Sequence, residues 1–312
     1  MKVVIALGGN ALLKPGEPFD TQHQRANLER AAGAIAAIAR EHSLIITHGS
    51  GPQVGMLALQ ASAAGFAGTP LDVLDAETEG MMGYLIEQVI GNHLPDRQVL
   101  TLLTQVEVSR RDPAFAAPTK PIGPAYADEQ ARLLARTRGW KLVPIEGEWR
   151  RVVPSPEPIR ILELAAIGLL LEAGAVVICV GGGGIPVERL PSGAVRGVEA
   201  VIDKDLAASL LAREIDADAL LLLTDIDWVY ENWGTPRESP IARATPEELR
   251  SMAFQPGSMG PKVEAACRFV ETSGGIAGIG RLEDAVGILE GHAGTRIYTS
   301  RGRSVRSEVR EH

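Results

Sequence analysis

The chain has 312 residues, a length that suits one large domain or two modest ones. Its 39 acidic residues outnumber its 31 lysines and arginines, so the net charge is −8, which argues against a protein that binds nucleic acid through a basic face. The two cysteines are too few for a disulfide scaffold or a zinc cluster. Because we find neither a secretion signal nor an uninterrupted apolar span, we expect a cytoplasmic protein that does not bind membranes.

A short apolar run followed by glycine recurs along the chain, at residues 3–7, 44–48 and 175–180. Continuous apolar runs of this kind predict strands that are buried on both faces of a sheet. Helix-like stretches lie between and after them, at residues 22–41, 76–94, 159–173 and 205–214. Residues 245–248 form a helix-start signal, and further strands are predicted at 99–103, 219–223 and 296–299. The alternation predicts an α/β fold with an open, mostly parallel sheet and helices on both faces.

Residues 106–158 differ in composition from the rest of the chain, because they hold eight of its 20 prolines. Proline cannot donate a hydrogen bond to a sheet, so this density does not suit a central parallel strand. We interpret the segment as an inserted subdomain or lid, which would divide the core into residues 1–105 and 159–312. A long ordered loop is the alternative interpretation.

Two glycine-rich turns follow predicted strands, at Gly8-Gly9-Asn10 and at Gly49-Ser50-Gly51. Glycine lets backbone N–H groups converge on an anion, and the ligands of open α/β sheets bind at the ends of the strands where these turns lie. The chain has no Walker A motif, and the dinucleotide fingerprint fits poorly because Pro52 removes an N–H. The turns therefore indicate an anion site of another kind, or else tight turns with a purely structural role.

The lysines are unusually few, at six against 25 arginines. Lys204 and Lys262 each lie at the start of a helix-like run, where a cation opposes the helix dipole unless an anion bridges the ammonium group and the helix amides. We therefore expect both to bind an anion, the alternative being solvated surface lysines. Asp205 would orient these lysines or a metal, or it is simply an acid at a helix start.

The remaining polar candidates fit a reaction that needs no covalent intermediate. Asp225 and Asp227 follow a predicted strand and could contact a ribose or a metal, although acidic turns are common at such places. His48 reads as a structural histidine, and no serine or cysteine lies in a nucleophile elbow. Lysines, glycines and a few acids are the groups that phosphoryl transfer requires.

Six segments together resemble the carbamate kinases, which belong to the amino-acid-kinase fold family. They are residues 6–12, 118–124, 150–156, 181–186, 197–205 and 256–265. The resemblance covers nearly the whole chain. It implies reversible phosphoryl transfer between ATP with carbamate and ADP with carbamoyl phosphate, usually towards ATP at the end of arginine or purine-derived catabolism. It also implies Mg2+, a homodimer and a lid-like insert.

The resemblance also implies roles for individual residues. The transferred phosphoryl group or the carbamoyl phosphate would be held by Gly8, Gly9, Asn10, Gly49, Ser50 and Gly51. Lys204 and Lys262 would clamp the nucleotide phosphates, and Asp205 would orient them. The nucleotide would be surrounded by Thr224, Asp225, Asp227, Tyr230, Met259 and Gly260. The resemblance identifies no metal ligands.

Members of the fold family that use acylated amino acids or UMP usually carry a lysine in the first strand, where this chain has Ala6, and the resemblance implies that Lys120 in the proline-rich segment compensates for it. The sequence also departs from the carbamate kinases. Ser50 replaces the usual asparagine, and the run at residues 74–79 is unusually acidic. Two other functions stay open: a kinase of another small acid, and a nucleotide-binding regulatory protein with little turnover. The retained lysines favour an enzyme.

Overall fold

Helices alternate with strands through the chain in this computed structural model, which describes residues 1–13, 17–18, 20–63, 69–145, 147–254 and 259–299. The α-helices are α1 (Gly9–Leu12), α2 (Thr21–Glu41), α3 (Gly51–Ala63), α4 (Leu71–Asn92), α5 (Asp128–Arg138), α6 (Leu164–Glu172), α7 (Lys204–Glu214), α8 (Pro246–Arg250), α9 (Met259–Ser273) and α10 (Ala285–Glu290). None of these helices combines the length and the apolar character needed to cross a bilayer.

The strands are short, as is usual for an α/β protein. They are β1 (Lys2–Leu7), β2 (Ser43–His48), β3 (Val99–Thr101), β4 (Gln105–Glu107), β5 (Lys120–Tyr126), β6 (Leu142–Ile145), β7 (Glu148–Val153), β8 (Arg160–Ile161), β9 (Val176–Ile178), β10 (Ile185–Arg189), β11 (Val195–Gly197), β12 (Ala219–Thr224), β13 (Val229–Glu231), β14 (Ser239–Ile241), β15 (Arg243–Ala244), β16 (Ile276–Arg281) and β17 (Thr295–Ile297).

The main sheet has eight strands in the order β15-β17-β16-β12-β1-β2-β9-β3. Its pairs are parallel except for β16 with β17, so the predicted open, mostly parallel sheet is confirmed. The strand predicted at 296–299 is therefore present but runs against its neighbour β16. Parallel strands end at the same edge, and the register aligns Leu7 with both His48 and Leu223. The turns after β1, β2 and β12 consequently meet.

Alternate residues of the central strands enter two separate cores. In β1, Val4 and Ala6 pack on one face with the apolar residues of α7 and α9, whereas Val3, Ile5 and Leu7 pack on the other with α2, α4 and α10. Side chains of a strand point alternately to opposite faces, and burial on both faces requires the continuous apolar run seen in the sequence. The predicted helices on both faces are thus confirmed.

The proline-rich segment contributes to two smaller sheets. Strands β5, β7 and β6 form a three-stranded antiparallel sheet, which we call the small sheet. Strands β4 and β8 instead join β10 and β11 in a four-stranded sheet, so Val106 and Glu107 pair with the core rather than with the small sheet. The division of the chain at residues 106 and 158, and the movement of this segment as a lid, stay predictions.

Two predicted helix starts were wrong and a third was confirmed. The helix predicted at 159–173 begins at Leu164, because Arg160 and Ile161 pair with β4. Helix α4 begins at Leu71, five residues before its predicted start. The helix-start signal at Thr245 is confirmed as a capping box, in which the Thr245 hydroxyl accepts from Glu248 N and the Glu248 carboxylate accepts from Thr245 N.

Candidate active site

Backbone contacts bring the two predicted glycine turns together at the ends of β1 and β2. Gly8 N donates to Leu223 O at 2.7 Å, and Gly49 N donates to Leu7 O at 3.0 Å. A Cβ at Gly8 would lie 2.8 Å from Leu223 O, and one at Gly49 would lie 3.2 Å from Gly9 N. A side chain at Gly8 would therefore collide with the backbone of β12, and one at Gly49 would push its neighbours apart, so glycine permits the close approach of these turns.

Lys204 crosses this glycine junction from the start of α7. Its Cδ and Cε atoms lie 3.1 and 3.2 Å from the position that a Cβ at Gly49 would take. Gly51 begins α3 and Gly9 begins α1, so two helix N-termini also face the junction. Asn10 belongs to α1, but its side chain lies outside the described part of the structure. The arrangement gives backbone amides and an ammonium group to one small region, which suits an anion.

Asp205 joins the two predicted helix-start lysines. Its Oδ1 atom lies 2.7 Å from Lys204 Nζ, and its Oδ2 atom lies 3.1 Å from Lys262 Nζ. The three side chains are largely buried, with exposed fractions of 12%, 13% and 5% for Lys204, Lys262 and Asp205. Two ammonium groups share one carboxylate here, so the cluster carries one surplus positive charge.

Burial acts differently on the two lysines. It lowers the pKa of Lys204 to about 8, with a further contribution from the charge of Lys262, and Asp205 only partly offsets both. For Lys262 burial also disfavours the charged form, but the attraction and hydrogen bond of Asp205 outweigh it and raise its pKa. Lys204 is consequently the ammonium group most dependent on a bound anion.

Four of the six predicted nucleotide residues line a cleft of about 840 Å3. A cleft of this size suits a nucleotide-sized ligand. It is lined by Gly8, Gly9, Thr224, Asp225, Tyr230, Met259 and Lys262. Asp227 lies beside the lining, where its Oδ1 atom accepts a hydrogen bond from the Tyr230 hydroxyl at 2.8 Å. Gly260 follows Met259 in the first turn of α9.

Aromatic side chains at the cleft were missed in the sequence. Trp233 and Phe254 line it, and the Trp233 and Tyr230 rings lie 5.1 Å apart between centroids. Both missed residues lie in irregular segments without periodicity, so nothing in the pattern around them predicted a ligand contact.

His48 and Ser50 are the buried residues on either side of Gly49 in the second glycine turn. Burial lowers the pKa of His48 to about 4, so the imidazole is neutral near pH 7, and the structural interpretation of this residue fits. The Ser50 side chain packs against Gly182, and a Cβ at Gly181 would overlap both His48 and Glu79. Gly181 and Gly182 thus permit the third glycine loop, residues 181–184, to approach the second glycine turn.

Glu79, from the acidic run at 74–79, holds this third loop in place. Its carboxyl oxygens accept from Gly181 N at 2.7 Å and from Thr104 N at 3.0 Å. Burial raises the pKa of Glu79 to about 8, although both hydrogen bonds oppose the shift. Asp75, one helical turn earlier, is also buried, and burial together with the charge of Glu79 raises its pKa. Sequence reasoning noted the acidity of the run but not its position beside the site.

Lys120 is placed at the same site by the small sheet. Its Nζ atom lies 2.8 Å from Asp203 Oδ2, and Asp203 immediately precedes Lys204. Ala6, whose position Lys120 was expected to compensate for, is fully buried in the core of the main sheet. The structure therefore brings Lys120 into contact with the residue that precedes the Lys204–Asp205 pair in the chain. Lys120 does not itself line the cleft.

Comparison with known proteins gives a consistent result over nearly the whole chain. Residues 1–278 match the model of the amino acid kinase family. The carbamate kinase of Rhizobium meliloti (strain 1021) is 53% identical over 304 residues, which cover 96% of this chain and 94% of the relative. That of Haemophilus influenzae is 50% identical, covering 95% and 96% of the two chains.

Solved structures agree with these relatives. The carbamate kinase from Giardia lamblia bound to AMP-PNP is 40% identical with a TM-score of 0.85, covering 95% of this chain and 98% of the other. The same enzyme bound to citric acid gives a TM-score of 0.88 at the same identity and coverage. The chain belongs to the amino acid kinase family and, within it, to the carbamate kinases.

Proposed function

We propose that the chain is an enzyme that interconverts ATP with carbamate and ADP with carbamoyl phosphate, and that it runs towards ATP in the cell. The observation that carries the proposal is the Lys204–Asp205–Lys262 cluster, which extends from the glycine turn at Gly49, beside Lys204, to the nucleotide-sized cleft, which Lys262 lines. Phosphoryl transfer needs charge neutralisation and alignment more than covalent chemistry, and the cluster supplies a surplus positive charge at that point.

The two substrates take neighbouring places in this proposal. ADP occupies the cleft beside Thr224, Asp225, Tyr230 and Met259, with its phosphates towards Lys262. The Giardia lamblia relative binds AMP-PNP, which supports a nucleotide in this cleft. Carbamoyl phosphate lies at the glycine junction, with its phosphoryl group between Gly8, Gly9, Asn10 and the turn at Gly49, Ser50 and Gly51. Lys204 then reaches the transferred group from the side.

An ATP-using kinase implies a divalent metal, and we propose Mg2+. Within the described residues, no three carboxylate, histidine or cysteine side chains come together as a metal site. Both carboxylate oxygens of Asp205 pair with lysines, whereas the cleft is lined by another carboxylate, that of Asp225. This donor set fits a metal that arrives with the nucleotide, because Mg2+ commonly takes most of its ligands from phosphates and water. When bound, it would supply further neutralisation of phosphate charge.

We also propose a homodimer in the cytoplasm. Strand β3 is an edge of the main sheet, and apolar side chains are exposed on α4, which packs on β3, directly after β3, and on α6, which packs on the neighbouring strand β9: Met81, Tyr84, Leu103 and Leu169. An exposed apolar surface beside a sheet edge favours a second copy of the chain. Both cysteines are buried and unpaired, which suits a reducing compartment. Light scattering tests the dimer, and a mass near 33.1 kDa would contradict it.

The decisive experiment measures ATP formation from ADP and carbamoyl phosphate with Mg2+, beside acetyl phosphate as the alternative donor. We expect turnover with carbamoyl phosphate to exceed that with acetyl phosphate, and EDTA to abolish it. A preference for acetyl phosphate would indicate a kinase of another small acid. Binding of ADP without turnover of either donor would indicate a regulatory nucleotide-binding protein instead.

A further inference from the structure

Asp203 uses both of its carboxylate oxygens at the start of α7. Its Oδ1 atom caps the helix by accepting from Asp205 N at 2.9 Å and from Leu206 N at 3.3 Å. Its Oδ2 atom accepts from Lys120 Nζ at 2.8 Å. One side chain therefore links the small sheet to the helix that begins with Lys204.

A second connection fixes the same geometry through the backbone. In the small sheet Lys120 pairs with Val153, and the next residue, Pro154, accepts from Val201 N at 3.0 Å. Val201 lies two residues before Asp203. Because each link in this path is a backbone contact, Lys120 and Asp203 are held at a set separation whichever rotamers they adopt.

The pair is ionised and partly shielded from water. The exposed fractions of the Lys120 and Asp203 side chains are 21% and 18%. Burial disfavours the Asp203 carboxylate, but the charge and hydrogen bond of Lys120, together with Lys204, hold the pKa of Asp203 well below its usual range. A lysine side chain is flexible, and an ion pair at its end fixes its position at little further cost when the partner is already anchored.

We infer that Asp203 is a positioning residue for the reaction, which holds Lys120 over the start of α7 so that its ammonium group acts together with Lys204 and Lys262. This rests on the proposed function. An ammonium group has three N–H donors, and the contact with Asp203 leaves two of them for oxygens of the transferred phosphoryl group. Asp203 itself does not line the cleft, so its effect passes through Lys120 and the helix start.

The test is a double-mutant cycle on Asp203→Asn and Lys120→Ala in the full-length enzyme. Asparagine is a good N-cap, so Asp203→Asn removes the charge that holds Lys120 and keeps the helix cap. Asp203→Ser serves the same purpose if the first variant folds poorly. Asp20→Asn is the matched control, because Asp20 caps α2 through His23 N at 2.8 Å and lies outside the cleft lining.

We expect Asp203→Asn to lower kcat for ATP formation about 10- to 100-fold while the Kd for ADP stays within about twofold, since a misplaced catalytic group costs this much. In the Lys120→Ala background the same change should cost less than about twofold. The melting temperature should match that of Asp20→Asn. Unchanged or raised kcat in Asp203→Asn, or effects that multiply with those of Lys120→Ala, would overturn the inference.

A readout without turnover separates this inference from the proposed function. Acylation of amines, followed by peptide mass spectrometry, reports how accessible Lys120 is. We expect Lys120 to be acylated several-fold faster in Asp203→Asn than in the wild type or in Asp20→Asn. Equal rates in all three proteins would contradict the positioning role even if the wild type makes ATP. An inactive wild type with the expected acylation would overturn the proposed function alone.

Discussion

At the scale of single residues, the candidate site is a cluster of buried charges with more positive than negative groups. Lys204 and Lys262 share Asp205, and Lys120 pairs with Asp203 at 2.8 Å. Burying charge is costly unless every group is paired, so the surplus positive charge of this cluster favours a bound phosphoryl group. Binding of the substrate would thereby offset the electrostatic repulsion between the neighbouring lysines.

Replacing either central lysine should impair turnover far more than stability. We expect Lys204→Ala and Lys262→Ala each to lower kcat by a factor of about 10² to 10³, comparable to removal of another preorganised electrostatic donor. The free energy of unfolding should change by only about 1 kcal/mol, because the remaining lysine still pairs with Asp205. Lys141→Ala is the matched control, since Lys141 is exposed. Near-normal turnover in a folded variant would remove that lysine from the site.

The pH profile should report the deprotonation of Lys204. With its pKa lowered to about 8 by burial, Lys204 loses its proton as the pH rises, so kcat/KM for ADP should fall above about pH 8. The effect on stability has the opposite sign. Between about pH 8 and 10.5 the unfolded lysine binds more protons than the folded one, so this group increases the free energy of unfolding as the pH rises.

Steady-state rates between pH 6 and 9.5 test this assignment. Lys204→Arg, which retains its charge throughout this range, should lose the break near pH 8 even if its rate is lower. An unchanged break in Lys204→Arg would assign the titration to another group.

Ser50 should affect the small substrate more than the nucleotide. Its side chain is buried against Gly182 of the third glycine loop, and Ser50 is not among the residues that line the cleft. We expect Ser50→Asn to change the KM for carbamoyl phosphate several-fold and the Kd for ADP by less than about twofold. Calorimetry with ADP and initial rates with carbamoyl phosphate measure the two effects. Equal changes for both ligands would show that this turn does not bind the small substrate.

At the scale of the elements, the small sheet is placed on the core by two glycines. Gly55 of α3 contacts Gly123 of β5 so closely that a Cβ at Gly55 would overlap the backbone of Gly123. Gly123 also has a φ of +72°, a conformation that glycine adopts without strain. Around this contact Val54, Leu74, Ile122 and Val153 form a third apolar cluster. The position of Lys120 therefore depends on the packing of β5 against α3.

A side chain at Gly55 should block its close approach to Gly123 and thereby disturb the site from a distance. We expect Gly55→Ala to displace the small sheet and to lower kcat about 10-fold or more. The affinity for ADP should stay within about twofold, because none of the described residues of the small sheet lines the cleft. Gly33→Ala is the control: Gly33 lies in α2 with open space around it, so alanine should stabilise the protein by about 0.5–1 kcal/mol. If Gly55→Ala behaved like Gly33→Ala, the glycine contact would have no part in placing Lys120.

At the scale of the whole molecule, local patterns predicted the centre of the fold better than its edges. The strands at the centre of the sheet are uninterrupted apolar runs, and the structure contains them where they were expected. Strand β16 was missed because it contains Gly278 and Gly280, which lie against Ile288 and leave no room for a larger side chain. Helix α3 was missed because it begins at Gly51-Pro52, which reads as a turn.

The same distinction applies to the site. Lys204, Lys262 and Asp205 lie at helix starts, a local signal that made them candidates before any fold was known. The contacts of Lys120 with Asp203 and of Glu79 with Gly181 join residues 83 and 102 positions apart. No local pattern reports such pairings, because they arise only when the small sheet and α4 pack against the strand ends.

Transfer of labelled phosphate tests the central claim most directly. Carbamoyl phosphate labelled in its phosphoryl group is incubated with ADP, Mg2+ and the wild-type enzyme, and the products are separated. We expect the label in the γ-phosphate of ATP, with a rate that falls by a factor of about 10² or more in Lys204→Ala and Lys262→Ala. Label found only in inorganic phosphate, or transfer by both variants at the wild-type rate, would contradict the assignment of this cluster as the centre of phosphoryl transfer.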